Sequence, residues 1–226
     1  MSSVSPSPEL IFSLQENLRR IDTGSRFKTQ PTSEESGQFV STSDLKDWMR
    51  VDLSDDDSLI AGLESAAREY VQNYTKLKLL RTTLAVKYGF VPDNQVFTLP
   101  FGPAFYGSAS DLSVQYIDEA GATQTLDAST YVALTNGDFI PTLHLVLNKS
   151  WPTVADQAGS ITITYKCGFG VADPITTLNV EPLKLAIKMI VAHWYEHREA
   201  AEPMMMHKPP IHVDRILDQY TTQRAY

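Results

Sequence analysis

Three groups of residues in this chain have types and spacings that could do chemistry. His193-Trp194-Tyr195-Glu196-His197 fits the H-x-x-E-H pattern of one zinc-peptidase class. On a helix, His193 and His197 lie one turn apart on one face. There two imidazoles could hold a zinc ion, with Glu196 as base. Against this, Trp194 belongs to an apolar stripe, so the positions beside it are partly committed to packing. His207 and His212, the nearest further ligands, lie in a stretch broken by Pro203, Pro209 and Pro210. A pattern with three fixed positions also arises easily by chance. The plainer reading is a polar helix end with Arg198 and Glu199 in solvent.

The second group is Asp52, Asp55, Asp56 and Asp57. It lacks the alternating ligands, central glycine and terminal glutamate of a calcium loop. Helix capping explains it better: Ser54 followed by Asp57 matches a capping box, and acids suit the positive end of a helix. The third is Cys167, the chain's one cysteine, in Lys166-Cys167-Gly168-Phe169-Gly170. A nucleophile would need a histidine base beside it, whereas a lone cysteine commonly serves as a small buried hydrophobe. Gly168 and Gly170 belong to no phosphate-binding loop and suit a sharp strand exit. Met204-Met205-Met206 could be a contact surface or a loop folded onto its own domain. No catalytic residue, metal or cofactor is therefore expected, and a small zinc hydrolase using His193, Glu196 and His197 stands as the enzyme alternative.

The elements that must position these residues follow from composition and period. The chain has 226 residues, 42% of them hydrophobic and 20% charged. That is a globular composition, long enough for a core without disulfide staples. The formal charge of −8 makes wrapping of nucleic acid a poor fit, because phosphate binding draws on clustered Lys and Arg. No secretory signal pattern and no membrane span is expected.

The chain divides into four parts. Residues 1–42 hold an apolar stripe, Leu10, Ile11, Leu14, Leu18 and Ile21, at helical spacing. A Ser/Thr-rich stretch expected to be a flexible arm follows. The helix has too little core of its own and should dock on the main body or a partner. Residues 43–81 are helical. Ser43 and Asp44 suit one helix start, and Leu59, Ile60, Leu63, Ala66, Ala67, Tyr70, Val71 and Tyr74 form the face of a second helix.

Residues 82–179 change to period two, with about six strands. Leu84, Val86 and Tyr88 alternate, as do Leu112, Val114 and Tyr116, and Ile161, Ile163 and Tyr165. Asn136-Gly137 and Glu119-Ala120-Gly121 mark hairpins. This part carries three basic and eight acidic residues, most of the negative excess. Residues 180–226 return to helix, with Pro182 at its start. Leu183, Ala186, Ile187, Ile190, Val191 and Trp194 form one face, and Val213, Ile216, Leu217 and Tyr220 form another on a shorter tail helix. Neither long helix can bury its face alone. The expected fold is α+β, an antiparallel helical bundle with an inserted antiparallel β-sheet or small β-sandwich. An N-terminal extension and a C-terminal docking helix flank it.

The order of these features resembles the head–tail connector (adaptor) family of tailed bacteriophages. Asp44-Leu45-Lys46-Asp47-Trp48-Met49-Arg50-Val51-Asp52, the Asp55–Asp57 run, and Leu59 through Tyr74-Thr75 are similar to the family's first two helices. Ile161–Tyr165 with Gly168-Phe169-Gly170 is similar to its β-region exit. Pro182-Leu183-Lys184 and Trp194-Tyr195-Glu196-His197-Arg198-Glu199 are similar to its third helix, which commonly ends Tyr-Glu-Asn-Arg. His197 then stands in place of an asparagine. The similarity covers roughly residues 43–226. The resemblance implies a virion structural protein without catalysis: a twelve-subunit ring beneath the portal protein that extends the DNA channel and carries the stopper or tail proteins. It also implies a C-terminal segment reaching toward the portal, here Val213, Arg215, Ile216, Leu217, Tyr220 and Arg224. Another neck or tail-completion ring protein is the alternative in the same class. An acidic wall would let packaged DNA slide without sequence-specific binding. Ring contacts are expected from the 55–76 and 182–199 helices or their exposed flanks.

Overall fold

The computed structural model describes residues 28–105, 111–134, 141–170, 179–197 and 211–221. Strand β1 (Lys28–Glu34) comes first, then helices α1 (Thr42–Met49) and α2 (Asp57–Thr75). Eight strands follow: β2 (Thr82–Tyr88), β3 (Phe97–Thr98), β4 (Ala104–Phe105), β5 (Leu112–Ile117), β6 (Thr123–Thr125), β7 (Tyr131–Leu134), β8 (Thr142–Leu145) and β9 (Ile161–Cys167). Helices α3 (Glu181–Glu196) and α4 (Ile211–Thr221) close the order. The fold is mixed α+β with antiparallel sheets. No helix among the described residues is long and apolar enough to cross a membrane.

Helix α1 begins slightly before the Ser43-Asp44 start read from sequence. Ser41 is its N-cap, and the Ser41 hydroxyl accepts from the Asp44 amide at 3.1 Å. In α2 the expected Ser54–Asp57 box does not form. The N-cap is Asp56, without a side-chain capping bond. Both carboxylates are instead drawn to tertiary partners: Asp57 to Lys46 Nζ at 2.7 Å, and Asp56 to Tyr195 Oη at 2.6 Å.

The buried side of α2 runs through Ile60, Glu64, Ala67, Val71 and Thr75, with Leu63 and Tyr70 partly buried against the core. Leu59, expected in the core, is 41% exposed. The buried face is centred on Glu64, which turns the Leu59 position outward. On α3, Leu183, Ala186, Ile187, Ile190 and Val191 are buried, and Trp194 packs at the margin. Helices α2 and α3 pack on each other, with α1 and α4 alongside, around one apolar cluster. Each fully buried Leu, Ile or Val adds about 1.5–3 kcal/mol.

The tail helix departs from expectation. Expected as a docking helix, it is packed into its own domain: Val213 and Leu217 are fully buried, Tyr220 nearly so, all in that helical cluster. Tyr220 Oη donates to the Asn179 carbonyl at 2.6 Å, and Tyr74 Oη to Asp218 at 2.8 Å. A short helix is marginal in isolation, and this one is held by its stripe.

The larger sheet has the order β1-β2-β9-β5-β6, with β4 paired to the end of β9. Leu84 faces Tyr165, Val86 faces Ile163 and Tyr88 faces Ile161. The smaller sheet is β3-β8-β7. Apolar sides of both meet in a second cluster that includes Val86, Phe97, Leu143, Ile163 and Tyr165. The described residues thus hold nine strands rather than six. Strands β3 and β4 have two residues each, too few to alternate. Strand β1 corrects the expected flexible arm. It is an edge strand, held by backbone pairing to β2 while its described side chains stay largely in solvent, so it carries no apolar period. Phe39 and Val40, just beyond it, are buried in the helical cluster. The apolar stripe at Leu10–Ile21 and the Asn136-Gly137 turn lie outside the described residues.

The two clusters meet where the chain leaves β9. Gly168 (φ +109) and Gly170 (φ +78) carry residues 168–170 alongside 78–81. The Phe169 and Gly170 amides donate to the Lys78 and Leu79 carbonyls, both at 3.2 Å. Phe169 is thereby placed in the helical cluster. The glycine reading of a sharp strand exit matches this geometry.

Candidate functional site

The histidine pair sits at the end of α3. The His193 and His197 ring centroids are 4.5 Å apart. His197 is the C-cap, and its Nδ1 lies 2.8 Å from the His193 carbonyl oxygen. One nitrogen of that ring is thus engaged by its own helix. Glu196 and His197 are exposed, as is His212 on α4. Among the described residues, no three His, Cys, Asp or Glu side chains are placed to share an ion. Arg198, Glu199, Met204–Met206 and His207 lie outside the described residues. Cys167 is buried, its Sγ 3.6 Å from the Thr82 carbonyl oxygen, and burial pushes its thiol up to about 12. A thiol held there carries no thiolate near neutral pH.

Among the described residues, contact surfaces are better formed than any reactive centre. The first is a groove of about 480 Å³ between α1, α3 and α4. Trp48, Leu185 and Ile216 form its apolar wall, and Lys184, Lys188 and Gln219 its polar rim. Trp48 is 49% exposed. Of the residues expected to reach a portal, Ile216 is partly buried on this groove and Arg215 is exposed. Val213, Leu217 and Tyr220 point inward, and Arg224 lies outside the described residues.

The second surface is the outer side of the β3-β8-β7 sheet. Val132 and Leu134 of β7 are exposed between inward-facing Tyr131 and Ala133. Their directly opposed residues are His144 and Thr142. Val146, two residues beyond His144, is also exposed, and Leu147 is 84% exposed.

A third feature escaped the sequence reading. Glu64, 1% exposed, accepts from the Phe39 amide at 3.0 Å and the Val40 amide at 3.4 Å. Arg68 stands between it and Glu34, with Nε 3.6 Å from Glu64 Oε1 and Nη1 2.9 Å from Glu34 Oε1. Burial raises the Glu64 carboxyl above the ordinary glutamate range, opposed by Arg68 and the two amides. This fastens the segment after β1 onto α2. The i, i+4 spacing of Glu64 and Arg68 hinted at an ion pair. Its burial depends on Phe39 and Val40, which no local pattern connects to α2. Gln72 does parallel work: its buried Oε1 accepts from the Leu79 amide at 2.9 Å.

Residues 40–105 match the family model described as phage gp6-like head-tail connector protein. The matched stretch spans α1, α2 and β2–β4. No curated protein matches the chain. A solved chain from the virion of a native gene transfer agent particle is similar, with TM-score 0.66 and 19% identity. The match covers 88% of this chain and 97% of that one. A chain from the neck of an empty gene transfer agent particle, computed with C6 symmetry, has TM-score 0.64 and 18% identity at the same coverage. One from the neck of the native particle, computed with C12 symmetry, has TM-score 0.61 and 16% identity, covering 87% and 97%. At these identities the likeness is one of fold. The resemblance to head–tail connector proteins rests on the family match over residues 40–105.

Proposed function

We propose that this chain is a structural connector in the neck of a tailed phage or phage-like particle, non-enzymatic, with its helices as a bundle and its β region as an inserted sandwich. Copies form a ring, of twelve as the family resemblance implies, beneath the portal protein. The ring extends the DNA channel and carries stopper or tail proteins. The observation that supports this most is the family match over residues 40–105, in a chain whose fold follows nearly the whole length of two particle-neck chains.

The physical features agree in kind. Lateral ring contacts draw on the outward flanks of α2 and α3, since the faces these helices turn to each other are already buried. A ring of this kind needs heterologous contacts that close by rotation. The acidic β region borders the channel, where like charge keeps the duplex moving. Portal docking falls to Arg215, Ile216 and the groove around Trp48. Val213, Leu217 and Tyr220 act by holding α4 in place.

The test is to mix the purified chain with portal rings and image the product by electron microscopy. A ring of this chain under the portal is expected. Portal rings that stay bare overturn the reading, and a ring seated elsewhere in the neck favours the tail-completion alternative. Metal analysis separates the enzyme alternative: stoichiometric zinc lost on His193→Ala, His197→Ala substitution would favour it. A metal-free protein whose doubly substituted form still assembles favours the connector.

A further inference from the structure

We propose that the groove between α1, α3 and α4 seats an acidic helical segment of the portal protein. Its apolar side would lie on Trp48, Leu185 and Ile216, and two of its carboxylates on Lys184 and Lys188. The proposal rests on the portal-docking reading above and adds the chemistry of the partner.

The groove pairs an apolar wall with a cationic rim. Trp48 and Leu185 are exposed, and neither belongs to the apolar cluster that holds the helices together. An exposed tryptophan beside other apolar side chains is the composition of a contact anchor. Lys184 and Lys188 stand one turn apart on α3, about 6 Å along its axis. Lys184 reaches Glu181 at 2.9 Å, but Glu181 is exposed, and such a surface pair contributes little and is readily exchanged. Lys188 has no ion pair among the described residues. Glu181 is the one carboxylate lining the groove, against two lysines. Arg215, exposed next to Ile216 on α4, is a further cation. In a chain of formal charge −8 this is a local exception, and it favours an anionic partner.

Spacing and size suit a helix. A partner helix lying along α3 offers carboxylates at i and i+4 with the same rise as the two lysines, while its apolar row meets Trp48 and Leu185. A space of about 480 Å³ is of the size that takes a few large side chains, so the partner's anchors enter it while its backbone stays outside. The chain's own acidic stretch fits less well. Asp56 and Asp57 are already bonded to Tyr195 and Lys46, and the exposed Asp52 and Asp55 lie outside any helix. They do not repeat at the spacing of the lysines.

The experiment places a photo-crosslinking residue at position 185 of the full-length chain, assembles it on portal rings and reads the captured peptides by mass spectrometry. A portal peptide with Asp or Glu and apolar residues at helical spacing is expected. In parallel, Lys184→Glu, Lys188→Glu should weaken binding to portal rings about tenfold at low salt, and the loss should shrink as salt is raised. Lys184→Gln, Lys188→Gln should show a smaller loss in the same direction, and it carries the test if the reversed chain does not fold. A Lys87→Glu, Lys149→Glu chain, matched in net charge, should bind as the parent does. Capture of residues 52–59 of another copy, of residues 1–27, of a portal peptide without acids, or of nothing would overturn the acidic portal segment and leave the ring standing. So would equal binding by the parent and both lysine-substituted chains. Portal rings that take up no unmodified chain would overturn the docking reading and this proposal together.

Discussion

Tyr195 Oη donates to the Asp56 carboxylate at 2.6 Å, joining the last turn of α3 to the first of α2 across 139 positions of sequence. The bond explains two local oddities together. Asp56 caps α2 without a side-chain capping bond, and Tyr195 lies inside a zinc-like pattern while doing structural work. Tyr195→Phe keeps the ring and removes the donor. It should lower stability by about 1–2 kcal/mol in urea unfolding. An unchanged midpoint would mean that helix packing alone sets this junction.

Glu64 makes stability depend on pH with a definite sign. Its native carboxyl holds a proton to higher pH than the unfolded chain does. Stability contributed at this site therefore falls as pH rises from the ordinary glutamate value through the raised native one, and is level beyond. Glu64→Gln keeps an oxygen for the Phe39 and Val40 amides and cannot ionise. It should gain on the parent chain as pH rises across that window. Glu64→Ala leaves both amides without their acceptor and should cost about 1–3 kcal/mol below the window, less above it. Parallel pH profiles for parent and Gln forms would contradict the argument.

Gly168 and Gly121 share a left-handed backbone but not an environment. A Cβ on Gly168 would lie 2.0 Å from the Leu80 carbonyl oxygen, whereas Gly121 (φ +82) opens onto empty space. Gly168→Ala should cost about 3 kcal/mol or more, by displacing the segment that seats Phe169. Gly121→Ala should cost only about 1 kcal/mol of backbone strain. Equal losses in thermal unfolding would show that conformation, not close approach, governs both.

Leu217 is buried and Arg215, on the same helix, is exposed, so the two separate what holds α4 from the proposed docking. Leu217→Ala empties a buried site and should destabilise the chain by about 2–5 kcal/mol. Arg215→Ala should leave stability within about 0.5 kcal/mol and weaken binding to portal rings. A sedimentation assay with portal rings, beside an unfolding curve for each variant, reads both effects.

Where periodicity was long, the sequence alone determined much of this protein. The stripes of α2 and α3 and the alternation of β2, β5 and β9 could be read directly, because a repeating apolar face states which side must leave water. The glycines after β9 and the turn at Gly121 were legible for a similar reason: left-handed backbone favours glycine. Tertiary structure alone decided which partners those faces met. It turned α2 until Glu64 lay at the centre of its buried side and Leu59 in solvent. It drew Asp56 and Asp57 away from capping, and it enclosed Val213 and Leu217 in the helical cluster. It also recruited an exposed, pattern-free stretch as β1. These outcomes depend on groups outside the local pattern, among them Phe39 for Glu64, Tyr195 for Asp56 and Lys87 for β1, and local spacing carries no information about distance in space.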